Sequence, residues 1–83
     1  MLMKITIYST ATCGYCKMLK KYLDDKSIKY EVKMADEDEA IAKELYEKSH
    51  QFAVPFTQIE KDDKTTVDIL GFDVPKINAV LGL

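Results

Sequence analysis

Residues 3 to 9, "MKITIYS", set Ile5 and Ile7 among β-forming residues and predict a strand. The period then changes. Tyr15, Met18, Leu19, Tyr22 and Leu23 recur at i, i+3, i+4, i+7 and i+8, which is one face of a helix with Cys13 at its N-terminus. Residues 28 to 34, "IKYEVKM", alternate Ile28, Tyr30, Val32 and Met34 with Lys29, Glu31 and Lys33, and predict a second strand. Two strands joined by a helix form a βαβ unit, right-handed and parallel.

The second half reads differently. "DEDEAIAKELYEKS", residues 36 to 49, opens with four acids and closes with Lys43 and Lys48, the charge order that suits a helix dipole. Its apolar stripe is short, built from Ile41, Leu45, Tyr46 and the alanines. Pro55 precedes a strand from Phe56 to Glu60, a polar turn follows at residues 61 to 64, and "TTVDIL", residues 65 to 70, alternates again, so these two strands are expected to pair as a hairpin. Gly71 and Phe72 break the pattern. Asp73 suits an N-cap, Pro75 a first turn, Ile77, Val80 and Leu81 an apolar helix face, and Gly82 a stop. The order is βαβαββα, an α/β class with a four-stranded mixed sheet and three helices. No repeat, linker or low-complexity stretch divides residues 1–83, which are expected to form a single domain. Tyr8, Tyr22, Tyr30 and Tyr46 are expected in core or half-buried positions.

Composition narrows the functions. A chain of 83 residues has one modest core, burying roughly 60 to 65 % of its unfolded surface, and room for one site. With 47 % hydrophobic and 31 % charged residues it is an ordinary globular sequence. The net charge of -2 argues against nucleic acid as a partner, because that binding rests on clustered Lys and Arg. No segment has the apolar length of a membrane span, and the first residues lack a secretory apolar run, so a cytoplasmic protein with no membrane partner is expected.

The chemistry lies in "YSTATCGYCKML", residues 8 to 19. Cys13 and Cys16 are three apart and would close a loop too short to constrain the unfolded chain, so the pair does not serve stability. Cys13 stands at the helix N-terminus, where free amides and the positive dipole end stabilise a thiolate, the reactive form. Cys16 lies one turn further in, on the side of Leu19 and Leu23, and should be the more buried. That spacing lets Cys16 resolve a mixed disulfide formed on Cys13 without backbone rearrangement. Lys17 and Lys20 add positive charge, and Tyr15 offers a ring to flank a substrate. A zinc site wants four ligands, and only His50 could join the pair, so metal ligation is the weaker reading and no metal is assigned. His50 reads as a helix-end residue. The acids at residues 36 to 39 read as a solvated first turn, with a docking surface for a basic partner as the alternative. A Cys-x-x-Cys beside a βαβ unit, with a proline some forty residues later at a strand start, is a thioredoxin-like redox pattern.

These residues resemble the glutaredoxin family of the thioredoxin-like fold across essentially the whole chain, and more narrowly its small prokaryotic glutaredoxin-like and NrdH-type members. "YSTATCGYCKMLKKYL" is similar to the family's strand, active site and first helix, with Cys13 as nucleophile and Cys16 as resolving thiol. "AVPFTQIE" resembles its Val-Pro segment, which implies a cis Pro55 and a Val54 backbone offered to bound peptide or glutathione. "ILGFDVPKINAVLGL" is similar to the closing turn and helix, with Gly71, Phe72 and Asp73 where glutathione is held; Thr12 and Tyr15 complete that implied site. Most members carry Pro where Gly14 stands, a lysine where Thr10 stands, and a Gly-Gly-x-Asp-Asp type turn in place of "LGFD". A Gly-Phe type turn also occurs in NrdH-type redoxins, which take electrons from thioredoxin reductase. The resemblance thus implies a monomeric thiol-disulfide oxidoreductase with glutathione as reductant and no tightly bound cofactor, reducing disulfides of partner proteins, glutathione mixed disulfides, or both through Cys13 and Cys16. The alternatives are a donor to an enzyme such as ribonucleotide reductase, recycled by thioredoxin reductase, or a dimeric iron-sulfur cluster carrier, which a small residue at Gly14 suits.

Overall fold

The structure, a computed structural model, describes residues 4–51 and 53–82. Along the chain run β1 (Lys4–Ser9), α1 (Gly14–Asp25), β2 (Glu31–Met34), α2 (Glu39–Ser49), β3 (Phe56–Glu60), β4 (Thr66–Leu70) and α3 (Val74–Leu81). The strands form one sheet in the order β2-β1-β3-β4, with β1 and β2 parallel and the other two pairings antiparallel. The expected βαβαββα order and the hairpin are therefore both present.

Strand alternation divides the core between the two sheet faces. Ile5 and Ile7 of β1, with Ile59 and Ile69, pack against Leu19 and Leu23 of α1 and Ile77 of α3. Tyr8 and Phe56 point the other way and meet Leu45 of α2, their rings 5.8 Å apart. Beyond that contact the α2 side of the sheet is polar, a hollow lined by Lys4, Thr6, Lys33, Lys48, Gln58 and Glu60.

Each boundary that differs from the sequence expectation has a local cause. The second strand begins at Glu31 rather than Ile28, because Ser27 takes a left-handed turn and the Ile28 amide donates to Leu23 O (2.9 Å), closing the end of α1. Ile28 and Tyr30 still pack on the core, from the connecting segment. Helix α2 begins at Glu39 rather than Asp36, since the Asp38 carboxylate accepts from the Ala40 amide (2.9 Å) and caps it. Asp36 and Glu37 stay in the turn before it. The last strand loses Thr65, whose amide and hydroxyl both donate to Asp63 in the hairpin turn. Tyr46 is 48 % exposed and not a core residue. Asp73 caps α3 through the Lys76 amide, and Gly82 ends it in the left-handed region, as expected. His50 likewise ends α2, with φ of 62°.

One polar cluster ties three elements together. The buried Tyr8 hydroxyl donates to Glu44 Oε1 (2.6 Å), and that carboxylate also accepts from Lys33 (3.1 Å) and faces Lys48 (3.3 Å). Hydrogen bonds from Tyr8 and the two lysines outweigh desolvation and lower Glu44 from its ordinary 4.5 to about 2. Burial, with the Glu44 bond and charge, raises Tyr8 to about 12. A depressed carboxylate stabilises the fold above its unfolded value and loses that contribution as pH falls through its folded one; a raised phenol does so below its unfolded value and loses it as pH rises.

Glu44→Gln is expected to cost about 1 kcal/mol at neutral pH, a figure reduced for the partial exposure of the pair. The loss should shrink as pH falls from about 5 toward about 2, read by urea denaturation across that range. Thr57 stands between Ile7 and Ile69, and its buried hydroxyl has no hydrogen-bond partner among the described residues. Thr57→Val is expected to raise stability by about 1 kcal/mol in the same assay.

Candidate active site

Strand β1 ends at Ser9, and a four-residue turn leads to α1. Cys13 is the N-cap of α1, with extended backbone (φ -83°, ψ 109°), and its sulfur accepts from the Cys16 amide at 3.1 Å. A cysteine sulfur thus occupies the place where Ser, Thr or Asp usually satisfies a free amide of the first turn. The first turn carries no acid. Cys13 and Cys16 form a disulfide, their Cα atoms 5.2 Å apart. Cys13 is half-buried and Cys16 fully buried behind it, beside Leu19 and Leu23, so a reagent from solvent meets Cys13 first.

Strand register brings the remaining segments to the same end of the sheet. Tyr8 pairs with Phe56, and Phe56 pairs with Leu70. The chain leaving β1 toward Cys13, the Val54-Pro55 segment entering β3 and the Gly71-Phe72-Asp73 turn leaving β4 therefore lie together. The Gly71 amide donates to Pro55 O (2.8 Å), and Gly71 has φ of 79°, where a side chain would strain the backbone. The Val54–Pro55 bond is cis. Pro55 is buried, Val54 half-buried, and Thr12 exposed.

Two other residues have defined tasks. Asp73 Oδ1 accepts from the Lys76 amide (3.2 Å), which commits it to capping α3. Phe72 packs edge-on against Tyr22, ring centroids 6.1 Å apart. It also borders a shallow depression with Met18, Lys21, Tyr22 and Asp25. Met18 joins that depression to a second one lined by Gly14 and Tyr15, beside Cys13.

Met18 corrects the expected helix face, and Tyr15, expected to offer a ring to a substrate, also stands clear of the core. Tyr15 is 65 % and Met18 51 % exposed, because the apolar arc of α1 is wider than the sheet covers. At about 100° per residue, Met18 lies about 200° from Cys16 and points away from the core. Asp36, expected in a solvated first turn, also reaches the site: its Oδ2 accepts from the Ala11 amide (3.0 Å), across 25 positions, a contact no local signal in the sequence marks. Among the described residues no group of three or more His, Cys, Asp or Glu is placed to hold a metal ion.

The chain belongs to the glutaredoxin family, whose family model matches residues 5–64. It is 36 % identical over 78 residues to an uncharacterized glutaredoxin-like 8.6 kDa protein in the rubredoxin operon of Clostridium pasteurianum, covering 93 % of this chain and 96 % of that protein. Among solved structures it is similar to methanoredoxin of Methanosarcina acetivorans, with 29 % identity, a TM-score of 0.77, and coverage of 96 % of this chain and 85 % of that one. The glutaredoxin-like NrdH-redoxin of Escherichia coli matches at 23 % identity with a TM-score of 0.76, covering 93 % of each chain. The fold is thus thioredoxin-like, and the protein is a glutaredoxin-like thiol redox protein with a Cys13-x-x-Cys16 motif. Among the described residues no helix is long and apolar enough to cross a membrane.

In the reduced protein at neutral pH, a limiting amount of iodoacetamide is expected to label Cys13 about tenfold or more faster than Cys16. Peptide mapping by mass spectrometry reads the ratio. Equal labelling would contradict the assigned order of the two sulfurs.

Proposed function

We propose that the protein is a dithiol oxidoreductase that reduces protein disulfides and glutathione mixed disulfides. The observation that carries this reading is the contrast between the two sulfurs, one at a helix N-cap within reach of solvent and the other buried behind it. The Cys13 thiolate attacks one sulfur of a substrate disulfide, forming a mixed disulfide, and the other substrate sulfur leaves as a thiolate and takes a proton. The Cys16 thiolate then attacks the Cys13 sulfur. This closes the Cys13–Cys16 disulfide and frees the second substrate thiol. Two electrons pass from the dithiol to the substrate, and an external thiol or flavoprotein must return them.

Glutathione as that reductant is supported by the gathering of Thr12, Tyr15, the Val54 backbone, Pro55, Gly71 and Phe72 at one end of the sheet. A second reading is favoured by Asp73, whose carboxylate is engaged in capping α3, and by Thr10 in place of a base. In that reading thioredoxin reductase supplies the electrons and the protein passes them to an enzyme such as ribonucleotide reductase. Both readings suit a reducing cytoplasm.

Cys13→Ser is expected to abolish all turnover. Cys16→Ser should keep activity on glutathione mixed disulfides and lose reduction of protein disulfides; joint loss would refute the division of roles. Reduction of the oxidised protein by excess glutathione, with thioredoxin reductase and NADPH in parallel, separates the two donors.

A further inference from the structure

The turn between β1 and α1 holds Cys13, and although Cys13 caps the helix that follows, the bonds among the residues before it are weak. The Cys13 amide reaches Thr10 O at 3.4 Å, and the Ser9 hydroxyl reaches the same carbonyl at 3.3 Å. Both contacts are longer than the usual range for hydrogen bonds of their type. A firmer contact comes from outside the turn. The Asp36 carboxylate, in the turn between β2 and α2, accepts from the Ala11 amide at 3.0 Å, two residues before Cys13. The bond lies at the exposed surface, where water competes for both groups, and its ionised acceptor makes it stronger there than a neutral one would be. Asp36 is itself held in place, because the neighbouring Ala35 amide donates to Ser9 O at 2.8 Å and prolongs the β1–β2 pairing to the edge of the turn.

The four acids at 36 to 39 thus divide their work. Asp38 caps α2 through the Ala40 amide, while Asp36 turns back toward β1. We propose that Asp36 is a positioning residue for Cys13: its bond to the Ala11 amide fixes the chain that carries the nucleophile onto the start of α1. The proposal rests on the reading of Cys13 as the attacking thiol. Its physical content is a competition. The charge of Asp36 disfavours a thiolate nearby, whereas its hydrogen bond keeps Cys13 at the N-cap, where the first-turn amides favour one. The proposal assigns the larger effect to the bond.

Three variants separate bond, charge and general stability. Asp36→Asn keeps an acceptor for the Ala11 amide and removes the charge. Asp36→Ala removes both. Asp38→Ala removes an equal charge from the same turn and a helix cap, but no bond to the Cys13 turn. The rate of Cys13 alkylation by iodoacetamide in the reduced protein, the equilibrium of the Cys13–Cys16 disulfide with dithiothreitol, and the melting temperature are measured for each.

Asp36→Ala is expected to slow alkylation about three- to tenfold, the size of one lost hydrogen bond, and to shift the disulfide equilibrium. Asp36→Asn should stay within about twofold of the unaltered protein, and Asp38→Ala should lower the melting temperature without slowing Cys13. The proposal is overturned if Asp36→Ala alkylates at the unaltered rate, if Asn fails to restore what Ala loses, or if Asp38→Ala slows Cys13 as much. Alkylation needs no physiological reductant or substrate, so these outcomes differ from failure of the oxidoreductase reading, which would appear as an unaltered protein without turnover or as turnover surviving Cys13→Ser.

Discussion

Tyr8, Phe56 and Leu70 stand side by side on three adjacent strands, and that register sets the geometry of the redox end of the molecule. A strand's side chains alternate with a period of two, so a slip of one residue in either pairing would turn β3 or β4 inside out. It would also move Pro55 away from Gly71, whose amide now bonds the proline carbonyl. The apolar residues of both faces hold the register. Ile5, Ile7, Ile59 and Ile69 face α1 and α3, while Tyr8 and Phe56 face α2, and neither set can be exchanged without exposing the other.

On this frame the two cysteines differ by position alone. Helix α1 must begin where β1 releases the chain, and the first amides of a helix need an acceptor. Cys13 supplies it with sulfur, at the place where those amides and the dipole also favour a negative charge. One turn later the same helix has swung Cys16 into the core beside Leu19 and Leu23. A reactive outer thiol and a protected inner one thus follow from helical periodicity and one strand end.

Much of this was legible in the sequence, because the signals are local. The change of period after Ser9 located α1, Asp73 with Pro75 and Gly82 bounded α3, and the alternation around residues 61 to 64 marked the hairpin. The errors arise where tertiary context decides. Met18 satisfies a helical face, but how much of the face is covered depends on the width of the sheet beneath it, which periodicity does not contain. Asp36 looked like the opening of a helix among three other acids, and nothing in its neighbours shows that Ala11 lies within reach. Phe72 packs its ring on Tyr22 across 50 positions of the chain and borders the depression beside Met18, contacts that the local turn signal at Gly71 does not contain.

The Tyr8–Glu44 cluster lies on the opposite face of the sheet from α1, yet it bears on the same end of the molecule. Glu44 belongs to α2, Lys33 to β2 and Tyr8 to β1, so their bonds clamp α2 against the two parallel strands. With Leu45 and Ile41 packed on Tyr8 and Phe56, α2 covers only the redox end of that face and leaves the rest polar. The turn that carries Asp36 is strung between β2 and α2, both of which the clamp fixes. A brace on Ala11 is only as firm as the anchor behind it, and here the anchor is a buried phenol donating to a carboxylate that this bond and two lysines keep ionised. The polar network on one face and the helix cap on the other therefore meet in the short turn that presents Cys13.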